Sequence, residues 1–487
     1  MQLSGTSQHL SSAREFPPLV EIPAGALVMH SSPRIAVLQF VFVLFIFAAA
    51  QLCVAQGTTF GPPVKVTPTG GFGYEPSFVA DRFGNMFATA HKENWQLVLA
   101  PDINSPTYTR SMSWDWISSN AGQSWQDIQG LTPLSIEQHE FGDEGDMALD
   151  DADYLYFVDT NVADDTFTRW KINGLASVTL ETTRPLIPAA QFVDDRPWVT
   201  AYGNGHVFYF GNEGDKVTYP LGTQGTGCGP GRYTVYPSLD GGDTFNPLGC
   251  TLPDSGWCRP ASDHRAGVHL LYAVCGNDGG SDDVFSATNP KGTLYAYVSA
   301  DDAQSFQRFV VGSYQALDGT FSWPSAMVAP DGTIWAVYVD AHHLECTTDV
   351  TGTTCDPDSN RLMLYQSVDQ GHTWKGKDIT PRAGRYRYAW LAISPNGSKL
   401  GIGVYYTPDS NTLPWRVYGA IFNPWQKPQL VSLDENNPVA PAGSEPPGDY
   451  MGSYFMPSGS LGVIWTRREL SVGTTLERDI FFARSLP

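Results

Sequence analysis

Short apolar segments alternate with tight-turn residues along nearly the whole chain beyond residue 60. A representative segment, EPSFVADRFGNMFATA from Glu75, has an apolar stretch, a turn at Gly84 and a second apolar stretch. This pattern predicts two antiparallel strands joined by a tight turn. Seven segments share it, and their turn residues recur with a period of about 63 residues, which indicates an internal repeat. These turn residues are Gly84, Ala152, Gly205, Gly267, Gly332, Gly397 and Gly459.

An eight-residue motif, which we call the box, occupies a constant place within four of these repeats. The boxes are SSNAGQSW from Ser118, SLDGGDTF from Ser238, SADDAQSF from Ser299 and SVDQGHTW from Ser367. Asp or Asn at the third position caps a tight turn, Gly at the fifth accepts a left-handed conformation, and the final aromatic residue packs inward. We interpret the box as a lock between two further strands. Its key residues are Asn120, Gly122, Trp125, Asp240, Gly242, Phe245, Asp301, Phe306, Asp369, Gly371 and Trp374.

Each repeat therefore holds four antiparallel strands, two around the turn and two around the box. Four-stranded sheets repeated radially predict an all-β fold, a β-propeller. Seven blades are expected, or six if the second segment, which lacks a box, is an insertion. The last repeat ends before a box, so PVKVTP, residues 63–68, is expected to supply its fourth strand. Pairing of the two chain ends would close the ring and remove exposed sheet edges.

Composition agrees with this fold and excludes one class of partner. The chain has 48 Gly, 36 Pro and 13% aromatic residues but only 16% charged residues, as expected for short strands and tight turns. Its formal net charge of -21 argues against binding nucleic acid, because phosphate contacts need clustered Lys and Arg.

An apolar run near the start predicts secretion. Residues 35–50, IAVLQFVFVLFIFAAA, follow Arg34 and lead into small residues, which is typical of a signal peptide cleaved near Ala50 or Ala55. The alternative is an uncleaved anchor of marginal length. The preceding stretch is long for a leader, so translation could begin at Met29. The sequence thus predicts an extension with signal peptide over residues 1–55 and one propeller domain over residues 56–487.

The cysteines suit an oxidising compartment. Cys53 would leave with the leader, and an even number remains. No CxxC pair is present, so structural zinc held by cysteine is not expected. Three sequential pairs each flank a plausible turn, although sequence alone leaves the connectivity open. The favoured pairs are Cys228–Cys250, Cys258–Cys275 and Cys346–Cys355.

The boxes match S-x-D-x-G-x-[ST]-[WF], and from about Gly61 to Pro487 the chain resembles the Asp-box, or bacterial neuraminidase repeat, proteins of sialidase-like fold. DRPW at Asp195 and GDYMG at Gly448 look similar to units of secreted exo-alpha-sialidase-like proteins. The resemblance implies a propeller outside the cell and, as its activity, glycoside hydrolysis.

Sialidases, as this resemblance implies, hold the substrate carboxylate with three arginines and use a Tyr–Glu nucleophile pair with an Asp acid/base. Their first arginine lies in an Arg-Ile-Pro motif that opens the first blade, where this chain has Tyr74-Glu75-Pro76-Ser77. An arginine at this position holds the substrate carboxylate through two hydrogen bonds, whereas Glu75 would repel it. The sequence therefore predicts that true sialidase activity is absent.

Residues at corresponding starts of the innermost strands should form a polar ring at one mouth of the channel. The candidate catalytic residues in this ring are Glu75, Asp195, Asp449 and Tyr450, with Tyr450 and a neighbouring carboxylate as a nucleophile pair. The candidate ligand-binding residues, whose arginines would grip an anionic or hydroxyl-rich ligand, are Arg196, Arg259, Arg387 and Glu144. Asp143 completes the ring. The alternative is that these charges pair with one another around a wet channel.

No metal site and no cofactor are predicted. His342 and His343 are adjacent on an extended segment and would point to opposite faces, and His264 fits a solvated loop. The acidic runs that begin at Gly142 and Asn277 lack the spacing of a known calcium loop, so calcium stays an alternative.

Two functions follow. The first is a secreted, monomeric propeller that binds an extracellular glycan or protein at the channel mouth, without nucleic acid and with membrane contact only through an uncleaved leader. The second is a glycoside hydrolase of the sialidase-like type.

Overall fold

The computed structural model describes most of the repeat region. The leader, including residues 35–50 and Cys53, lies outside the described residues, and contacts between residues group Thr58–Pro487 as one compact unit. The described residues are 58–67, 73–91, 113–128, 144–160, 165–186, 196–212, 227–277, 291–315, 323–340, 346–349, 352–355, 360–469 and 477–486.

The described residues form seven four-stranded antiparallel sheets, which are the blades of a β-propeller. Blade 1 is β2 (Tyr74–Ala80), β3 (Met86–His91), β4 (Trp114–Ser118) and β5 (Gln126–Asp127). Blade 2 is β6 (Glu144–Leu149), β7 (Tyr154–Thr160), β8 (Asp165–Gly174) and β9 (Ser177–Pro185). Blade 3 is β10 (Trp198–Gly203), β11 (His206–Asn212), β12 (Tyr233–Ser238) and β13 (Cys250–Thr251). Blade 4 is β14 (Ser255–Ser262), β15 (Leu271–Asn277), β16 (Lys291–Ser299) and β17 (Gln307–Gln315).

Blade 5 contains an additional hairpin between its second and third strands. Its strands are β18 (Ser325–Val328), β19 (Ile334–Asp340), β22 (Arg361–Ser367) and β23 (Lys375–Asp378), and the inserted hairpin is β20 (Cys346–Asp349) and β21 (Gly352–Cys355). Blade 6 is β24 (Arg385–Ile393), β25 (Leu400–Thr407), β26 (Arg416–Phe422) and β27 (Val431–Ser432). Blade 7 is β28 (Gly452–Phe455), β29 (Leu461–Glu469), β30 (Glu477–Arg484) and β1 (Val64–Lys65).

The blades close into a complete ring. The first strands of neighbouring blades contact one another all the way round, in the order β2, β6, β10, β14, β18, β24, β28 and back to β2. The last blade takes its fourth strand from the other end of the chain, with Val64 opposite Phe482 and Lys65 opposite Phe481. The predicted closure by the segment around β1 is therefore confirmed.

All seven predicted turns lie between the first two strands of a blade, which confirms seven blades and excludes the six-bladed alternative. The second blade is complete although it lacks a box. Its third and fourth strands, β8 and β9, are joined by a tight hairpin in which Ala176 has a left-handed φ of 56°. A short turn thus replaces the box there.

The boxes lie between the third and fourth strands and form the expected local network. In the box of blade 5, Gly371 N donates to Ser367 Oγ (2.9 Å), and Ser367 Oγ donates to Asp369 Oδ1 (2.8 Å). The Asp369 carboxylate also accepts hydrogen bonds from Thr373 N (2.9 Å) and Thr373 Oγ1 (2.6 Å). Gly371 has φ 86°, the left-handed conformation that glycine accommodates best.

The aromatic residue of a box packs against the preceding blade. Trp125 of blade 1 lies 5.3 Å from Phe482 of blade 7, and Phe245 of blade 3 lies 5.2 Å from Phe167 of blade 2, measured between ring centroids. The box therefore closes its own turn and also contributes to packing between blades.

Two disulfides are present among the described residues, and both are predicted pairs. Cys258 and Cys275 lie directly opposite each other on β14 and β15. Cys228 precedes β12 and is bonded to Cys250 on β13, so this bond ties a loop to a strand. Cys346 and Cys355 are register partners in the β20–β21 hairpin, and their bond stays a prediction.

The disulfides are compatible with an extracellular or periplasmic location. Within the described part of the chain, we find no helix with the length and apolar character needed to cross a membrane. The predicted signal peptide is not tested, because it falls outside the described residues.

Candidate functional site

Backbone irregularities shape the mouth of the channel at which the inner strands begin, here called the strand-start mouth (around Glu75, Arg196, Arg387 and Asp449). The register of β2, β14 and β24 shifts near the start of each strand. Glu75 has φ 50° and Tyr388 has φ 51°, both left-handed. Bulges of this kind redirect side chains and are common beside functional sites.

The Glu75 side chain is almost fully buried and joins the first blade to the last. Its Oε1 accepts a hydrogen bond from Asp449 N (2.8 Å), its Oε2 lies 3.2 Å from His91 Nε2, and its own backbone N–H donates to Thr466 Oγ1 (3.1 Å). The predicted catalytic residues Glu75 and Asp449 are thus brought together. Glu75 uses its carboxylate to position the Asp449 backbone.

The second pair at this mouth crosses the channel. Arg196, just before β10 of blade 3, forms an ion pair with Asp449, just before β28 of blade 7. These blades are not neighbours in the ring, so the pair spans the opening. A predicted ligand-binding arginine is therefore paired with a predicted catalytic carboxylate.

Arg259 forms another pair between separate blades. Its Nη1 lies 3.1 Å from Asp146 Oδ2 of blade 2, and Asp146 also accepts hydrogen bonds from Ser77 Oγ (2.5 Å) and Val199 N (3.1 Å). Asp146 is completely buried, so these donors offset the cost of removing its charge from water. This carboxylate consequently ties four blades together.

Arg387 is the third paired arginine, and its buried side chain meets the partly exposed side chain of Glu445. Its Nε lies 3.2 Å from Glu445 Oε2, and Arg385 Nη1 lies 3.7 Å from Glu445 Oε1. Beside it, burial raises the pKa of Tyr388 well above its usual range, and the carboxylates of Asp449 and Glu75 raise the pKa further. Tyr388 consequently stays neutral.

Aromatic rings fill the space between these ion pairs. Tyr450, the predicted nucleophile, is buried with its ring centroid 5.0 Å from Trp198 and 5.9 Å from Trp390. Trp198 also lies 5.5 Å from Trp323. These aromatic rings come from different blades and meet on the propeller axis, so this level of the channel is packed rather than open.

Sequence reasoning missed a group of buried acids between blades 1 and 2. Asp159 accepts a hydrogen bond from Ser113 Oγ (2.7 Å). Burial raises the pKa of Asp159 well above its usual range, the Asp115 carboxylate raises it further, and Ser113 and His91 lower it. Asp115 lies between two tryptophans in the strand WDWIS, and a charged residue in such an apolar strand was the available signal.

A cavity of about 550 Å³ occupies the other end of the channel, towards the first hairpin turns. We call this end the hairpin mouth. The later residues of the inner strands form its wall. Among the predicted ligand residues that the structure describes, only Arg259 lines it. The residues that line it include Asp151, Thr200, Arg259, His264, Met327 and Trp390.

Several predicted site residues lie outside the part of the chain that the structure describes. Asp143, Asp195, His342 and His343 fall outside the described residues. Glu144 begins β6, but its side chain is not described. Their proposed roles stay predictions.

The remaining sequence candidate, His264, lies at the hairpin mouth. Its Nε2 lies 3.2 Å from Ser262 Oγ, and its Nδ1 lies 3.5 Å from Asp151 Oδ1.

No model of a protein family matches this chain, and no curated protein matches its sequence. Solved structures similar to it include a protein of unknown function from Dyadobacter fermentans, with 12% identity, coverage of 88% of this chain and 100% of that chain, and a TM-score of 0.46. An alpha-L-arabinanase from Penicillium chrysogenum, complexed with arabinobiose, has 13% identity, coverage of 87% and 98%, and a TM-score of 0.39. The NanB sialidase from Streptococcus pneumoniae has 9% identity, coverage of 88% and 70%, and a TM-score of 0.38.

Proposed function

We propose that this protein is a secreted Asp-box propeller that binds the end of a carbohydrate chain in the cavity of its channel and does not hydrolyse it. The pairing of Arg196, Arg259 and Arg387 with carboxylates carries the proposal. A clamp for an anionic substrate must present guanidinium groups to the ligand, whereas these arginines are paired with carboxylates of the protein itself.

The size and lining of the cavity support a carbohydrate as the ligand. A volume of about 550 Å³ lies within the usual range for small-ligand sites. The wall of the cavity combines side chains that form hydrogen bonds, such as Asp151, Thr200 and His264, with the apolar side chains of Met327 and Trp390. A cavity with such a lining suits the hydroxyl groups and ring face of a sugar better than the surface of a protein.

Binding in the cavity is tested by filling it. Met327 is half-buried and lines the cavity, so Met327→Trp should weaken glycan binding at least about tenfold. Val368→Trp is the matched control, because Val368 is 73% exposed and does not line the cavity. Binding is measured by glycan array and then by calorimetry, with melting temperatures to confirm folding. Equal binding by the two folded variants would refute the cavity as the site.

The second candidate function is glycoside hydrolysis, and the raised pKa of Asp159 favours it. A general acid requires a carboxyl group whose pKa is raised, as burial raises that of Asp159, and Glu75 interacts with His91 beside the same group. Release of sugar from aryl glycosides or polysaccharides, abolished by Asp159→Asn and by Glu75→Gln but not by Val368→Trp, would establish this function instead.

A further inference from the structure

Three side chains of metal-ligating type from two neighbouring blades meet near the first hairpin turns. His206 begins β11 directly after the turn at Gly205, and His269 lies between β14 and β15. Asp302 belongs to the box of blade 4. One potential ligand atom from each of the three residues lies within 4.8 Å of the others.

The three side chains are already held towards one another. His206 Nδ1 lies 2.9 Å from Asp302 Oδ1, and the His206 and His269 rings are 5.0 Å apart. The Tyr202 hydroxyl donates a hydrogen bond to Asp302 Oδ1, and the Tyr202 ring stacks on His206. A carboxylate fixed by such an outer partner is the usual arrangement around a metal ligand.

The box of blade 4 differs from the others at the position that supplies the carboxylate. The fourth box residue is Ala121, Gly241, Asp302 or Gln370, and all four have left-handed φ values of 59°, 76°, 57° and 60°. The backbone is therefore common to the boxes. Among them, only Asp302 places a carboxylate beside the histidines of the adjacent hairpin turns.

We propose that His206, His269 and Asp302 bind a divalent transition-metal ion, with zinc as the best match, and leave a fourth position to water. Two imidazoles and one carboxylate suit zinc, whereas calcium requires more oxygen ligands. Ligands about 2.1 Å from a tetrahedral ion lie roughly 3.4 Å apart, and the candidate ligand atoms lie within 4.8 Å of one another.

The ion would join blade 3 to blade 4 at a site separate from the proposed glycan cavity. None of the three ligands lines that cavity. Asp301 next to Asp302 adds negative charge that favours a cation, in a chain whose formal net charge is -21.

The test uses the full chain, stripped of metal with EDTA and titrated with zinc in a calorimeter. The wild-type protein is expected to bind one zinc ion per chain, and zinc should raise its melting temperature. His269→Ala should weaken that binding at least about tenfold, because it removes a direct ligand. His206→Ala is a second variant with the same expectation.

His264→Ala is the matched control, since His264 lies in the same turn of blade 4 but contacts Ser262 and Asp151 instead. It should bind zinc as the wild type does. The proposal is overturned if the wild type binds no zinc at micromolar concentration, or if folded His269→Ala and His206→Ala bind zinc as tightly as His264→Ala.

Discussion

At the scale of single residues, the third position of the box shows how one side chain organises a turn. Asp369 accepts hydrogen bonds from Ser367 Oγ, Thr373 N and Thr373 Oγ1, and those with Thr373 lower its pKa to about 2. In blade 1, Asn120 fills the same position and accepts from Ser124 N (3.0 Å) through its amide oxygen. The turn therefore needs an acceptor there, with or without charge.

This comparison gives a prediction for Asp369. Asp369→Ala should lower the free energy of unfolding by about 1 kcal/mol, and Asp369→Asn should cost less because the acceptor remains. The pKa of Asp369 is lower in the folded state than the usual value of about 3.9, so its contribution is present above pH 4 and is lost as the pH falls towards about 2. Urea unfolding between pH 2 and pH 7 measures both effects. If the free energy of unfolding of Asp369→Asn fell with pH as steeply as that of the wild type, the role assigned to the Asp369 charge would be contradicted.

Asp159 should show the opposite dependence on pH. Its pKa is raised by burial, so the folded state holds its proton more tightly than the unfolded chain. Its contribution to stability consequently falls as the pH rises above about 4. Asp159→Asn keeps an acceptor for Ser113 and should stabilise the protein by about 1–2 kcal/mol at pH 8. Melting temperatures at pH 5 and pH 8 test this, and an Asn variant less stable at pH 8 would contradict it.

Local interactions were readable from the sequence, whereas pairs across the channel were not. The box contacts join residues within eight positions, so its spacing reveals the turn. Arg196 and Asp449 are far apart in the chain, and their ion pair exists only because blades 3 and 7 face each other across the channel. The sequence placed both in one ring but left open whether they would meet a ligand or each other.

At the scale of elements, the two-residue strand β1 and the residues that follow it close the ring of blades. Lys65 Nζ and Thr67 Oγ1 both donate to the buried Asp479 carboxylate on β30, at 2.7 and 2.6 Å. Val66 is buried in the same cluster as Phe482. Strand pairing, an ion pair and apolar packing thus close the ring together.

Removing residues 1–67 should therefore destabilise the propeller by at least about 3 kcal/mol, because the hydrogen bonds to Asp479 and the burial of Val66 are both lost. The exposed edge of β30 should also promote association. Removing residues 1–57, which precede the compact unit, is the control and should leave stability unchanged. Chemical unfolding and size-exclusion chromatography provide the measurements. Equal stability of the two truncated chains would show that closure by β1 contributes little.

The number and order of the blades were more predictable from the sequence than the register within individual strands. Turn spacing identified seven blades, including blade 2, where a tight hairpin replaces the box. The register shifts in β2, β14 and β24 depend on how the inner strands meet around the channel, so no local sequence pattern predicts them.

At the scale of the whole molecule, the two ends of the channel differ in what they offer a ligand. The strand-start mouth contains ion pairs and aromatic rings that join distant blades, such as Arg196 with Asp449 and Trp198 with Trp390. The hairpin mouth has the cavity. Function should therefore depend on the cavity, and changes to Arg196, Arg387 and Asp449, which do not line it, should act mainly through stability.

The most direct test is to incubate the protein with an oligosaccharide identified by array, recover the protein-bound fraction on a filter and determine the mass of the released sugar. We expect the oligosaccharide to be retained by the wild type, lost with Met327→Trp and recovered intact. Shortened products that disappear with Glu75→Gln, or no retained sugar at all, would contradict a binding function without hydrolysis.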